Sequence, residues 1–90
     1  MPEKHIDNIA AAASEINHKA YTVRQLSREI KELIEKIATE VEGLGREDVS
    51  EFVDAFRLDV GIISAASKRL VNSTGYGLIP YVRDIEKGKR

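Results

Sequence analysis

Residues 6–44 decide the fold of this chain, and they read IDNIAAAASEINHKAYTVRQLSREIKELIEKIATEVEGL. Apolar or small side chains recur there at alternating steps of three and four residues: Ile6, Ile9, Ala13, Ile16, Ala20, Val23, Ser27, Ile30, Ile34, Ile37, Val41 and Leu44. A repeat of 3.5 residues is typical of a helix that packs along its length against another helix. The stretch therefore predicts one long helix, over about residues 3–42, that works by helix pairing.

Two glycines mark the end of this predicted helix. Gly43 and Gly45 stand where the apolar repeat stops, and glycine is favoured just past a helix C-terminus. The predicted turn, residues 43–47, is only about five residues long, so the helices on either side become antiparallel neighbours. The long helix is therefore one arm of a hairpin.

The second arm is predicted over about residues 48–73. It begins at Asp48 and Glu51, which have the spacing of a capping box. A run of helix-breaking residues then predicts a kink over 74–77, and a last short helix follows over about 78–87. We expect this extension to continue along the first helix and to cover its N-terminal half, which otherwise needs another chain.

The predicted fold is all-α, with residues 1–90 forming a single helical-hairpin domain. It is an antiparallel two-helix hairpin with a kinked C-terminal helical extension. The chain has no cysteine and therefore no disulfide, and a core this small rarely contributes more than a few kcal/mol. Oligomerisation is the remaining stabiliser, so we expect hairpins to assemble into a four-helix bundle.

The apolar repeat has a bulky half and an alanine-rich half. We expect the bulky half, residues 30–44, to be covered within the chain by residues 49–63. Small residues let another helix approach closely, so the alanine-rich half, residues 10–20, is expected to contact a partner. The predicted partner-binding residues are Ile9, Ala13, Ile16, Ala20, Val23, Phe52, Phe56 and Val60.

Composition argues against several other functions. The net charge is −1, from 14 basic and 15 acidic residues, which does not favour nucleic acid as a partner. No apolar run approaches the roughly 18 residues that span a bilayer. His5 and His18 lie too far apart in sequence to form a helical metal pair. We therefore expect no catalytic, cofactor-binding or metal site, and no enzyme.

The region around the turn is similar to a known family. Residues 37–43, IATEVEG, are followed by Phe52 and Phe56. This arrangement resembles the small helical-hairpin proteins of type VII secretion, the WXG family, in which a Trp-x-Gly turn joins two long antiparallel helices. Val41 stands at the position of the family's tryptophan. The family's C-terminal Tyr-x-x-x-Asp/Glu export signal has no counterpart, since Ile85 stands four residues after Tyr81.

The resemblance implies a non-enzymatic helical partner protein of a type VII-like secretion system. Such a protein pairs with another helical protein as an exported subunit, an adaptor or a targeting chaperone for a toxin. The partner would be a different helical protein or a second copy, and the location cytoplasmic, or secreted without an N-terminal signal peptide. The alternative is a cytoplasmic coiled-coil interaction or regulatory module unrelated to secretion, because residues 27–37 also resemble chemoreceptor coiled coil.

Overall fold

The structure, a computed structural model, describes residues 2–89 as a long antiparallel helical hairpin. Helix α1 spans Pro2–Leu44, α2 spans Glu47–Asn72, a π-helix spans Ser73–Leu78, and α3 spans Ile79–Glu86. The molecule measures 64 × 17 × 15 Å. The predicted all-α hairpin is therefore confirmed. The ends of the predicted domain, Met1 and Arg90, lie outside the described residues.

The hairpin turns at Gly45. Its φ is +72°, and its N–H donates to the Val41 carbonyl at 3.1 Å, as in an αL helix cap. Gly43, the other predicted turn residue, lies inside α1. The turn is consequently shorter than the predicted residues 43–47, because only Gly45 and Arg46 separate the two helices.

The two glycines should respond in opposite ways to alanine. Gly45→Ala forces a side chain into the left-handed region and should destabilise the protein by about 1–2 kcal/mol. Gly43 lies inside a helix, and a Cβ added there would meet no other atom. Gly43→Ala should therefore stabilise the protein by about 0.5–1 kcal/mol. Thermal unfolding of both variants checks this. Equal shifts of the two melting temperatures would show that Gly45 is not the turn residue.

The predicted capping box at the start of α2 is wrong. The residue before the helix is Arg46, which makes no side-chain capping bond, and Asp48 lies within the first turn. The Asp48 carboxylate instead accepts hydrogen bonds from Arg46 at 2.7 and 3.1 Å. Glu47 and Asp48 still place negative charge at the positive end of the helix dipole.

Small side chains hold the two arms together. The buried residues of α1 include Ala13, Ala20 and Ser27, and they belong to one row spaced by seven residues. Ile34 and Val41 continue this row and pack with Val53 and Val60 of α2. The seven-residue row of α2 then continues through Ser67 and Thr74, which are also buried. The interior is therefore narrow, and few of its residues exceed valine in size.

The buried hydroxyl groups cost little, because each bonds the backbone of its own helix. Ser27 donates to the Val23 carbonyl at 2.8 Å, and Ser67 donates to the Ser64 carbonyl at 2.9 Å. Such local bonds leave no donor unpaired against the neighbouring helix. Among the described residues, no buried side-chain nitrogen or oxygen lacks a partner.

The C-terminal extension lies along the N-terminal half of α1. Val82 is buried with Ile6 and Ala10, and Arg83 donates to the Asp7 carboxylate at 2.9 Å. The kink predicted at residues 74–77 coincides with the π-helix, through which the chain stays helical. The last helix ends at Glu86, beyond which Gly88 adopts a φ of +76°.

Candidate partner-binding face

Large apolar side chains form a second row on each arm, beside the buried row. On α1 this row is Ile9, Ile16, Val23, Ile30, Ile37 and Leu44, and its members are 40–61% exposed. On α2 it is Phe56, Ile63 and Leu70, which are 42–49% exposed. Apart from Ile6, Ile34 and Val41, the larger apolar residues of the repeat therefore lie half in solvent, while its small residues fill the interior.

The two exposed rows lie on the same side of the hairpin. Ile30 and Ile37 of α1 line one open groove together with Phe56 and Ile63 of α2. Ile16 and Val23 line the next groove, together with Ile63 and Leu70. The rows thus form one continuous surface, which we call the apolar face. A contiguous apolar surface of this kind on a soluble protein marks a site of interaction.

The opposite side of the hairpin is polar. Arg57 of α2 donates two hydrogen bonds to the Glu35 carboxylate of α1, at 2.8 and 2.9 Å. These bonds from Arg57 lower the pKa of Glu35 below its ordinary value. Glu35 directly follows buried Ile34, so the 100° step of an α-helix turns it away from Ile30 and Ile37. The hairpin is consequently amphipathic as a unit, with one apolar side and one charged side.

The structure divides the predicted partner-binding residues into two groups. Ile9, Ile16, Val23, Phe52 and Phe56 are 40–63% exposed and available to a partner. Ala13, Ala20 and Val60 are only 1–6% exposed, so the prediction that they form a binding surface needs correction. Their side chains are covered within the chain, because the second arm packs on the row of small residues.

The bulky half of the repeat also needs correction. Residues 30–44 were expected to be covered by residues 49–63, yet only Ile34 and Val41 of the repeat are buried there. Ile30 and Ile37 stay 44% and 45% exposed. The predicted partner-binding residues do not include Ile30 and Ile37, nor Ile63 and Leu70. Their seven-residue spacing beside the small residues of each helix was the available signal.

Other kinds of site receive no support from the described residues. Among the side chains of residues 4–89, no group of three His, Asp or Glu is placed to hold a metal ion. In the same part of the chain, no helix is long and apolar enough to cross a membrane. The apolar face is the candidate functional site because its large side chains are half-exposed along both arms.

Comparison with known proteins identifies no relative. No family model, no curated protein and no solved structure matches this chain.

Proposed function

We propose that this chain is a non-enzymatic helix-pairing protein whose apolar face binds a second antiparallel pair of helices to form a four-helix bundle. The observation that carries this proposal is the one-sided exposure of large apolar residues along both arms. Two helical rows that run side by side over a 64 Å molecule match the shape of another helical hairpin.

The distribution of side-chain sizes supports a partner of this kind. Burial of an isoleucine, leucine or phenylalanine contributes about 1.5–3 kcal/mol relative to exposure. In the isolated hairpin a large part of that gain is unrealised, because Ile30, Ile37 and Phe56 are each more than 40% exposed. A partner on the apolar face would complete their burial. The interface would then form the larger core, and the narrow interior between the arms the smaller one.

The proposed setting is a type VII-like secretion system, in which the chain acts as an exported subunit, an adaptor or a targeting chaperone for a toxin. The support for this setting is the sequence resemblance of the turn region and of Phe52 and Phe56 to the WXG family. A cytoplasmic coiled-coil regulator is the second candidate, since the apolar face suits either role. The genes beside this one discriminate between them: a membrane ATPase and a toxin favour secretion, and a receptor array favours the regulator.

Mass measurement tests helix pairing directly. We expect the purified protein to sediment at twice the 10.0 kDa of one chain, or to form a one-to-one complex when co-expressed with a helical protein encoded beside it. Dissociation should follow dilution, because the interface is intermolecular. A monomer at high micromolar concentration that also binds no co-expressed helical protein would contradict the proposal.

A further inference from the structure

The buried row of the second arm changes its spacing at the π-helix. Val53, Val60, Ser67 and Thr74 follow one another at seven-residue steps, but the next buried residue of this row, Val82, comes eight residues after Thr74. The segment between them is the π-helix Ser73–Leu78, in which the Ile79 N–H bonds the Thr74 carbonyl five residues back. One residue is therefore added to the heptad spacing at this point.

The added residue keeps the apolar face continuous into α3. Phe56 and Ile63 lie four residues before and three residues after buried Val60. Leu78 and Ile85 have the same relation to buried Val82, and they are 42% and 43% exposed, close to the 42% and 43% of Phe56 and Ile63. Leu78 and Ile85 therefore lie on the same side of the second arm as Phe56 and Ile63.

A continuous α-helix of the same sequence would present different residues. Seven-residue steps from Leu70 reach Gly77 and Asp84, in place of Leu78 and Ile85. The buried position after Thr74 would fall on Tyr81 instead of Val82. A carboxylate on the apolar face and a tyrosine in the narrow interior are both unfavourable. The π-helix removes both conflicts.

Asn17 of α1 holds the backbone at the point where the bonding pattern changes. Its side-chain amide donates to the Val71 carbonyl and to the Thr74 hydroxyl, both at 2.9 Å. Thr74 in turn donates to the Leu70 carbonyl at 2.7 Å. Gly75 allows this approach, because a Cβ there would lie 3.0 Å from the Asn17 amide nitrogen.

We propose that the π-helix is a one-residue insertion that keeps Leu78 and Ile85 on the apolar face, and that Asn17 is the positioning residue that holds it. Tyr76 fits the role of the inserted residue, since it is 84% exposed and its side chain contributes little to the interior. This role goes beyond the proposed function, because it concerns which residues of the second arm are buried and which are exposed, whether or not a partner binds the apolar face.

Deletion of Tyr76 tests the insertion. Pro80 has no N–H and would break an α-helix that continued through it, so the deletion is made in a Pro80→Ala protein. In that background the shortened arm can become a continuous α-helix with Val82, Leu78 and Ile85 in seven-residue register, so its melting temperature should stay within about 3 °C of the Pro80→Ala protein. Deletion of Leu58, which is also exposed at 67%, leaves Val53 and Val60 six residues apart and should lower the melting temperature by roughly 10 °C or more. Similar losses in the two deletions, measured at one protein concentration, would overturn the insertion.

A double-mutant cycle tests the role of Asn17. In the full-length chain, Asn17→Ala should lower the melting temperature by about 5 °C, because the Val71 carbonyl and the Thr74 hydroxyl both lose the hydrogen bond from the Asn17 amide. In the Tyr76 deletion the same substitution should shift it by about 2 °C at most, since that arm has no π-helix left for Asn17 to hold. Equal losses in both backgrounds would show that Asn17 does not act through the π-helix. Neither measurement depends on a partner.

Discussion

Ile34→Asp is expected to unfold the hairpin. Ile34 is 5% exposed and packs with Val41, Val53 and Val60 in the contact between the arms. A carboxylate there has no cation to pair with in that apolar cluster, and its burial should cost roughly 3–5 kcal/mol. A hairpin with so narrow an interior has little stability to lose, so the circular dichroism signal of helix should fall sharply at 25 °C.

The control for this variant is Gln25→Asp. Gln25 lies on the exposed side of the same helix, so this substitution introduces the same charge, and at least as large a loss of helix propensity, without burial. We expect Gln25→Asp to shift the melting temperature by only a few degrees. If the two variants had the same melting temperature, Ile34 would not lie between the arms, and the assignment of the buried row would be wrong.

Ile30→Asp is expected to prevent assembly with little effect on the contact between the arms. Ile30 is 44% exposed in the hairpin, so a carboxylate at this position can remain hydrated while the chain is alone. A partner on the apolar face would remove that water. The resulting loss of at least about 3 kcal/mol corresponds to a dissociation constant raised by roughly 100-fold.

Sedimentation of Ile30→Asp beside Gln25→Asp separates assembly from folding. The first variant should sediment as a monomer at concentrations where the second remains assembled. Helix content of Ile30→Asp should also exceed that of Ile34→Asp, because only Ile34 lies between the arms of one chain. An Ile30→Asp protein that assembled as tightly as its control would show that the apolar face is not the interface.

The hairpin itself was predictable from the sequence. The 3.5-residue repeat up to Leu44 predicts a long helix, and Gly45 has the left-handed conformation that favours glycine after a helix. These signals are local, and each has one structural solution. The same applies to the antiparallel order of the arms, which follows from a connection of two residues.

The division of the repeat between interior and surface was not predictable in the same way. Both rows of α1 are apolar or small, and the repeat alone does not say which row the second arm covers. The sequence interpretation placed Ala13 and Ala20 at a partner, whereas they lie between the arms. Ser67 and Thr74 explain the outcome, because small residues on the second arm let the arms approach where α1 is also small.

The π-helix could not be predicted from the sequence, for a different reason. Residues 72–77 contain asparagine, serine, threonine and two glycines, a composition typical of a helix break. The side chain that bonds this segment from the other arm is Asn17, which is more than fifty residues away in sequence. A tertiary hydrogen bond of this kind leaves no local pattern, apart from the eight-residue step to Val82 that becomes visible once the buried row is known.

The small interior residues also imply an order of folding. Contacts near Gly45 close short loops, whereas the pairing of Asp7 with Arg83 joins residues 76 positions apart. The entropic cost of closing a loop rises with the sequence separation of the residues in contact. The contacts between the arms should therefore form first near the turn and later towards the chain ends. Ala13 and Ala20, which lie between the turn and the other end of the hairpin, make few side-chain contacts. The end that carries Ile6 and Val82 should therefore be the last to form and the first to fray. Amide hydrogen exchange should therefore be slowest near Val53 and fastest near α3, a gradient along the length of the molecule.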